Sequence, residues 1–499
     1  MPKFYISTAI VYTNAPPHIG FALELVQADA IARYRRMLGD EVRFVTGTDE
    51  HGTKIMRAAA DAGVPTQEFV DHIAGQVGQL ATRLSISNTD FVRTSDRVHH
   101  WPAAQKLWRA MAERGDIYKK SYEGTYCVGH EAFIKSSELI DGLCSLHKSK
   151  PDIISEENWF FRLSKYTSEI ADLIGSGRMR IVPESRTSEI LNLLKDAEDV
   201  SFSRPSSQLS WGIPVPGDDS QTMYVWADAL TNYISALGYG QEAKKLQATS
   251  LFEQFWPADV HLIGKDITRF HALFWPAMLL SAGLEVPRHI YVHGFITVDG
   301  EKMSKTLGNV INPFELLERY PVEVVRYFML RELQSTDDSD FSYKNLEHRY
   351  TTDLANGLGN LVQRVVTLID TKRAGHSIYD ASWSTTVPQL ALVLDDTDYH
   401  RAFEQFRLHD AVGAIWAKIG LANAYFNEQE PWKQEGESQA QTLGVAGAMV
   451  AHIAYLLQPI MPATASNIGA MLGWPLGTLE DGQKFTITKG APLFPRREF

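Results

Sequence analysis

Apolar and polar positions along this chain repeat with two different periods, and the changes between them divide it. Phe4–Ile10 is a short apolar run of the kind that forms a buried strand. Asn14-Ala15-Pro16-Pro17 breaks the chain. From His18, the positions Ile19, Ala22, Leu23, Val26, Ala30, Tyr34 and Met37 recur at helical spacing. Arg33, Arg35 and Arg36 suit the C-terminal end of that helix, and Gly39 suits its cap. Glu41–Thr46 predicts a second strand, followed by a polar loop and a helix from about Thr53. Strand–helix–strand with short connections predicts a parallel sheet with right-handed crossovers.

The texture changes over residues 117–217, where short strands and turns replace the alternation. This predicts an insertion between residues 1–116 and 218–320, the two halves of one sheet. Strand patterns resume at Met223–Trp226, Val260–Ile263 and Ile290–Thr297. Residues 321–350 read as a linker region. From residue 351 to 499 the pattern is nearly all helical, with Leu354, Leu358, Leu361, Val365 and Ile369 forming one apolar stripe. This predicts a helical bundle.

Composition narrows the class. There are 48 basic and 60 acidic residues, and 48 − 60 = −12 excludes a uniformly basic coat for nucleic acid. A local basic groove remains open, because net charge averages over all faces. The 44% hydrophobic and 22% charged content is that of a globular protein, which excludes disordered and fibrous classes. Two cysteines, Cys127 and Cys144, supply no disulfide scaffold. The N-terminus lacks signal-peptide character, and the apolar run near Leu443–Leu457 contains His and Gly and reads as buried helix. The expectation is a cytoplasmic protein with no membrane partner.

His18-Ile19-Gly20-Phe21 sits where the first strand turns into a helix, the place where open α/β sheets bind ligands. Gly20 lets a nucleotide approach the backbone, and an imidazole at 18 can donate to phosphate. Much later, Lys302-Met303-Ser304-Lys305-Thr306 follows the turn Val298-Asp299-Gly300. Two ammonium groups three residues apart can neutralise a triphosphate as its charge grows during displacement. Taken singly, each motif is weak.

Together they resemble the signatures of class I aminoacyl-tRNA synthetases. Finer motifs resemble the methionyl-tRNA synthetase family: Tyr12-Thr13-Asn14-Ala15-Pro16-Pro17-His18-Ile19-Gly20, Thr46-Gly47-Thr48-Asp49-Glu50-His51-Gly52, Tyr224-Val225-Trp226-Ala227-Asp228-Ala229-Leu230, Ile263-Gly264-Lys265-Asp266 and Phe274-Trp275-Pro276. The likeness spans essentially the whole chain. It implies an α/β fold: a Rossmann-like catalytic domain with a parallel sheet, split by a connective insertion and followed by an all-α anticodon-binding bundle. Residues 321–350 would then be a stem-contact linker. The activity implied is ATP-dependent ligation of L-methionine to tRNA, through methionyl-adenylate and with Mg²⁺ accompanying ATP. His18, Lys302, Lys305 and Arg204 are expected at the phosphates. The resemblance assigns Gly20, Phe21, Glu24, Gly264, Asp266 and Ile296 to the ATP site. It assigns Ala9, Ile10, Tyr12, Trp226, Leu230, Tyr233, His271 and Trp275 to the methionine side chain, with Asp49 on the substrate ammonium. Phe21 stands where the family has a second histidine, and Thr306 where it has serine.

Cys127-Val128-Gly129-His130 and Cys144-Ser145-Leu146-His147 repeat one spacing within the insertion. Two thiolates and two imidazoles make a closed tetrahedral set for a structural Zn²⁺. The family it resembles often carries one such knuckle, usually with Cys where His130 stands. In the bundle, Asn360 and Arg364 lie one helical turn apart on one face. Trp432 offers a stacking platform for an unpaired base. The resemblance gives anticodon reading to Asn360, Arg364 and Trp432, on initiator and elongator methionine tRNA, by an expected monomer. Two alternatives remain at this level. One is a class I synthetase for another small apolar amino acid, although leucine, isoleucine and valine enzymes carry a much larger insertion. The other is a non-catalytic RNA-binding relative.

Overall fold

The computed structural model describes residues 1–128, 132–134, 139–146, 148–241, 250–303 and 309–497. The chain forms two compact units: residues 1–28 with 40–293, and residues 29–39 with 294–499.

The first unit is built on seven parallel strands. In chain order they are β1 (Lys3–Thr8), β2 (Val11–Tyr12), β3 (Glu41–Asp49), β4 (Asp90–Arg93), β5 (Arg180–Val182), β6 (Val260–Gly264) and β7 (His289–His293). They are ordered β5–β7–β6–β1–β3–β2, with β4 also pairing with β3, and every pairing is parallel. The order reverses direction beside β1, which is the point where such sheets open a crevice at their carboxyl ends. The strand after β1 feeds helix α1 (Ile19–Met37), whose periodic apolar positions from Ile19 to Tyr34 are buried as their spacing requires, with Met37 half-buried at the end. Gly39 ends the helix with φ 90°, a conformation that glycine adopts without a side-chain penalty.

Three expectations about strands are corrected. β3 runs to Asp49 rather than stopping at Thr46. Its polar residues are buried but bonded: Thr8 Oγ1 donates to Thr46 Oγ1 at 2.7 Å, and Thr48 Oγ1 donates to Glu50 Oε1 at 2.6 Å. Polarity therefore hides a strand whose hydrogen bonds are satisfied internally. Met223–Trp226 is not one strand. Asp218–Met223 closes a small antiparallel sheet, and Trp226 belongs to helix α2 (Val225–Ala229). Ile290–Thr297 is broken at Gly294, and Ile296–Val298 pairs in a different three-stranded sheet.

The insertion is also less contiguous than the sequence suggests. Ile117–Cys127, Ala132–Ile134, Asp152–Phe161 and Val200–Ser201 form a four-stranded antiparallel sheet, but β5 at residues 180–182 returns to the edge of the parallel sheet. A three-residue strand is too short to show a period.

The second unit includes residues 294–303, which lead to the lysine loop. Its main helices are α3 (Asn360–Arg373), α4 (Leu408–Gln429), α5 (Gly436–Leu457) and α6 (Pro462–Leu472), which pack on one another around α5. Leu354, Leu358, Leu361, Val365 and Ile369 are all buried, as their stripe predicts. α5 is long and apolar enough to cross a membrane by length and composition, but its residues are buried among the other helices. In the same unit, Arg326 is completely buried with Asp29 at 2.8 Å and donates to the carbonyls of Ile460 and Pro459. Those added acceptors satisfy a buried charge that an ion pair alone would leave underbonded.

Candidate active site

Four side chains meet at the carboxyl ends of β1, β6 and β7. Glu24, one turn into α1, accepts from the backbone N–H of Ala9 at 2.6 Å through Oε1, and its Oε2 faces His293 Nε2 at 3.1 Å. Burial raises the Glu24 pKa, while the His293 and Ala9 hydrogen bonds oppose that rise. Gly264 and His293 are register partners at the ends of β6 and β7. A Cβ on Gly264 would lie 2.9 Å from Asp266 Oδ1, so only glycine leaves that carboxylate its place.

His18 caps this group with an exposed edge. Its Nδ1 accepts from the Gly20 N–H at 3.1 Å, which puts the proton of the neutral ring on Nε2. A Cβ on residue 20 would stand 2.9 Å from His18 Cε1. Gly20 therefore serves the histidine as well as the approach of a ligand. Crowding by protein lowers the His18 pKa, against an opposing pull from Asp266, so the ring is neutral at pH 7 and donates through Nε2.

Beside this polar group lies a packed cluster of electrically neutral rings and apolar side chains. Tyr233, His271 and Trp275 are buried, Leu230 and Ala9 are buried, and Trp226 is half-buried with its ring stacked on Phe270 at 3.7 Å. His271 lies on a π-helical segment, Phe270–Phe274, a wide turn found mostly at functional sites. Its Nδ1–H donates to the Ile267 carbonyl at 3.0 Å, leaving Nε2 to accept from the Tyr233 hydroxyl at 2.7 Å. Burial holds the His271 pKa at about 4 and raises that of Tyr233. Behind them, Trp275 Nε1–H donates to His261 Nε2 at 3.2 Å, so His261 Nδ1–H donates to Ser7 Oγ at 2.8 Å. Burial lowers the His261 pKa well below its usual value. The polar atoms of Tyr233, His271, Trp275 and His261 are thus paired within the cluster, which otherwise presents ring faces and edges, surfaces suited to a thioether.

At the rim, β2 pairs with the end of β3 and sets Tyr12 against Asp49. Asp49 is buried, and its carbonyl accepts from the N–H and the hydroxyl of Thr13, both at 3.0 Å.

Other sequence-predicted residues fall elsewhere. Arg204 is buried on a short strand, Ser203–Pro205, between the rings of Tyr126 and Tyr224. Its Nη1 donates to the Ser203 carbonyl at 2.7 Å and to Ser201 Oγ at 2.9 Å. Phe21 is 4% exposed and contributes packing within α1. Ile10 is half-buried just after β1. Ile296 belongs to the second unit and is buried there. Lys302 forms a backbone pair with Thr297, while its side chain and Lys305 lie outside the described residues. Cys127 and Cys144 are buried in one small cluster with Ile134, and His130 and His147 lie outside the described residues. In the second unit, the Arg364 guanidinium sits 5.0 Å from the Phe426 ring and 5.6 Å from the Trp432 ring, and donates to Asn427 Oδ1 at 2.8 Å. Trp432 is 40% exposed and Asn360 is exposed one turn from Arg364.

The family described as tRNA synthetases class I (M) matches residues 4–136 and 134–366. The chain belongs to this family. A methionine–tRNA ligase of Brucella suis is 40% identical over 98% of this chain and 95% of its own length. One from Mycobacterium bovis is 42% identical over 95% and 92%. Among solved structures, a Mycobacterium tuberculosis methionyl-tRNA synthetase in complex with methionyl-adenylate has a TM-score of 0.91 at 39% identity, covering 99% of this chain and 100% of its own.

In this class I synthetase, sequence reasoning passes over several residues that build the site. His293 carries one readable signal, a histidine at the carboxyl end of a parallel strand. His261 lies within the apolar run Val-His-Leu-Ile-Gly, where an imidazole requires a partner. Phe270 carries none, because its stacking on Trp226 depends on the π-helical turn.

Proposed function

We infer that this chain is a methionine–tRNA ligase. A carboxylate oxygen of L-methionine attacks the α-phosphorus of ATP, the bond to pyrophosphate breaks, and methionyl-adenylate forms. A ribose hydroxyl at the 3′ end of tRNA then attacks the acyl carbon and AMP leaves. The observation that carries this reading is the neutral cluster of Trp226, Tyr233, His271 and Trp275 beside the His18–Glu24–Asp266–His293 group, in a chain that matches methionine–tRNA ligases along its length.

The side chains named at the site do little covalent work; they position and stabilise charge. The ring cluster takes the thioether, and Asp49 takes the ammonium at its rim. Gly264 and Asp266 receive the adenosine end, with His293 holding Glu24 in place. His18 Nε2–H donates to phosphate. Lys302 and Lys305 neutralise the departing pyrophosphate, and Mg²⁺ enters with ATP. Arg204, whose Nη1 is held by Ser201 and Ser203, is a further phosphate contact. We expect Lys305→Ala to lower methionine-dependent pyrophosphate exchange at least a hundredfold. Wild-type exchange in that variant contradicts the role of the loop.

Asn360, Arg364 and Trp432 take unpaired anticodon bases of methionine tRNA, initiator and elongator alike. The exposed indole, with the Arg364 guanidinium beside it, supports this reading. The clustered, buried thiols of Cys127 and Cys144 support a structural Zn²⁺ completed by His130 and His147. Elemental analysis of the purified protein should find one zinc per chain; its absence excludes the site.

A further inference from the structure

Asp228 is buried, two residues after Trp226 on α2, and no step above uses it. Its Oδ2 lies 2.6 Å from His51 Nδ1 and its Oδ1 lies 2.7 Å from His100 Nε2. His100 in turn meets Ser235 Oγ at 2.9 Å through Nδ1. His51 follows Asp49 by two residues and is held edge-on between Trp101 and Trp211, with ring centroids 5.9 and 5.7 Å away. Burial works against a charge on Asp228, but the two imidazoles outweigh it and keep the carboxyl below its ordinary pKa. The carboxylate is therefore an ionised acceptor of two ring N–H groups, the strong kind of hydrogen bond.

The same segment shows where the other polar residue of the loop goes. Glu50 is buried and bound to Arg93 at 2.7 and 3.0 Å, and also to Thr48 and Ser95. Glu50 is thus engaged within the protein, and so is the Nδ1 edge of His51. Both clamp the end of β3, Glu50 to β4 and His51 to α2.

We propose that Asp228 is a positioning residue that sets the chain length of the amino acid accepted. Through His51 it ties the strand end bearing Asp49, the ammonium site, to the helix bearing Trp226 and Leu230, part of the cluster that takes the side chain. Each arm of the tie is two residues long, so the Asp228–His51 hydrogen bond fixes the distance between the two recognition points. This rests on the methionine activation inferred above. An amide at 228 keeps one acceptor oxygen but turns an N–H toward one of the two imidazoles, so one anchor is lost and a buried donor is left facing a donor.

The test compares L-methionine with S-methyl-L-cysteine, which is one methylene shorter, by ATP–pyrophosphate exchange in wild type and Asp228→Asn. The wild type should discriminate between them by tenfold or more, the range an apolar pocket gives for one methylene. Asp228→Asn should reduce the ratio of their kcat/KM values at least fivefold, with KM for ATP changed less than twofold. A uniform loss on both substrates with the ratio intact overturns the proposal, since a purely structural role predicts that result. If Asp228→Asn does not accumulate as folded protein, His51→Gln, which cuts the same tie from the other side, is read by the same ratio. Wild-type protein that fails to exchange with methionine contradicts the activity itself, a separate failure.

Discussion

At the residue scale, the site works through protonation states fixed by neighbours. His18 gives its Nδ1 lone pair to the Gly20 N–H and so keeps a proton on the nitrogen that faces outward. Removing one such donor to a transition-state charge typically costs about 10²–10³ in rate. We expect His18→Ala to lower the kcat of pyrophosphate exchange by roughly that factor, with KM for methionine little changed. His271 gives a second expectation. Its native pKa is about 4, and in the unfolded chain it is about 6.5. The unfolded state therefore binds the proton first as pH falls. The stability that neutral His271 contributes is complete above pH 6.5 and is lost progressively toward pH 4, on the order of 3 kcal/mol in all. His271→Gln should melt with a smaller drop between pH 7 and pH 5 than wild type does. An equal drop contradicts a buried neutral imidazole.

At the element scale, the site depends on where strands stop. Gly264 and His293 end adjacent strands side by side, and the 3₁₀ turn after Gly264 brings Asp266 to them. We expect Gly264→Ala, whose Cβ would meet Asp266 Oδ1 at 2.9 Å, to raise KM for ATP about tenfold while KM for methionine moves less than threefold. A larger change for methionine contradicts this division of the site. The elements also show how far the sequence could be read. α1 and the stripe from Leu354 to Ile369 are legible, because a continuous apolar face has no other use. The last three residues of β3 are not, because Thr48 finds its partner, Glu50, inside the core while its polarity reads as loop. The π-helical turn under His271 and the helix carrying Trp226 are not legible either. Each is a local departure made stable by contacts from distant parts of the chain. His18, Glu24 and Asp266 come together as their motifs imply. Their partner His293 needs the sheet register, which no single motif carries.

At the scale of the whole molecule, a net charge of −12 leaves RNA recognition to local groups. We propose the exposed Trp432, beside Arg364 and Asn427 in the helical unit, as such a group, and base stacking on an aromatic ring is worth about 1–3 kcal/mol. Trp432→Ala should reduce aminoacylation of methionine tRNA by tenfold or more and leave pyrophosphate exchange near normal. Equal loss of both contradicts anticodon reading at this position. The central claim is that the neutral ring cluster selects methionine for activation. ATP–pyrophosphate exchange measured with each of the twenty amino acids tests it most directly. Exchange with methionine far above the other nineteen is the expected result; preferred exchange with another amino acid, or none with any, contradicts the account.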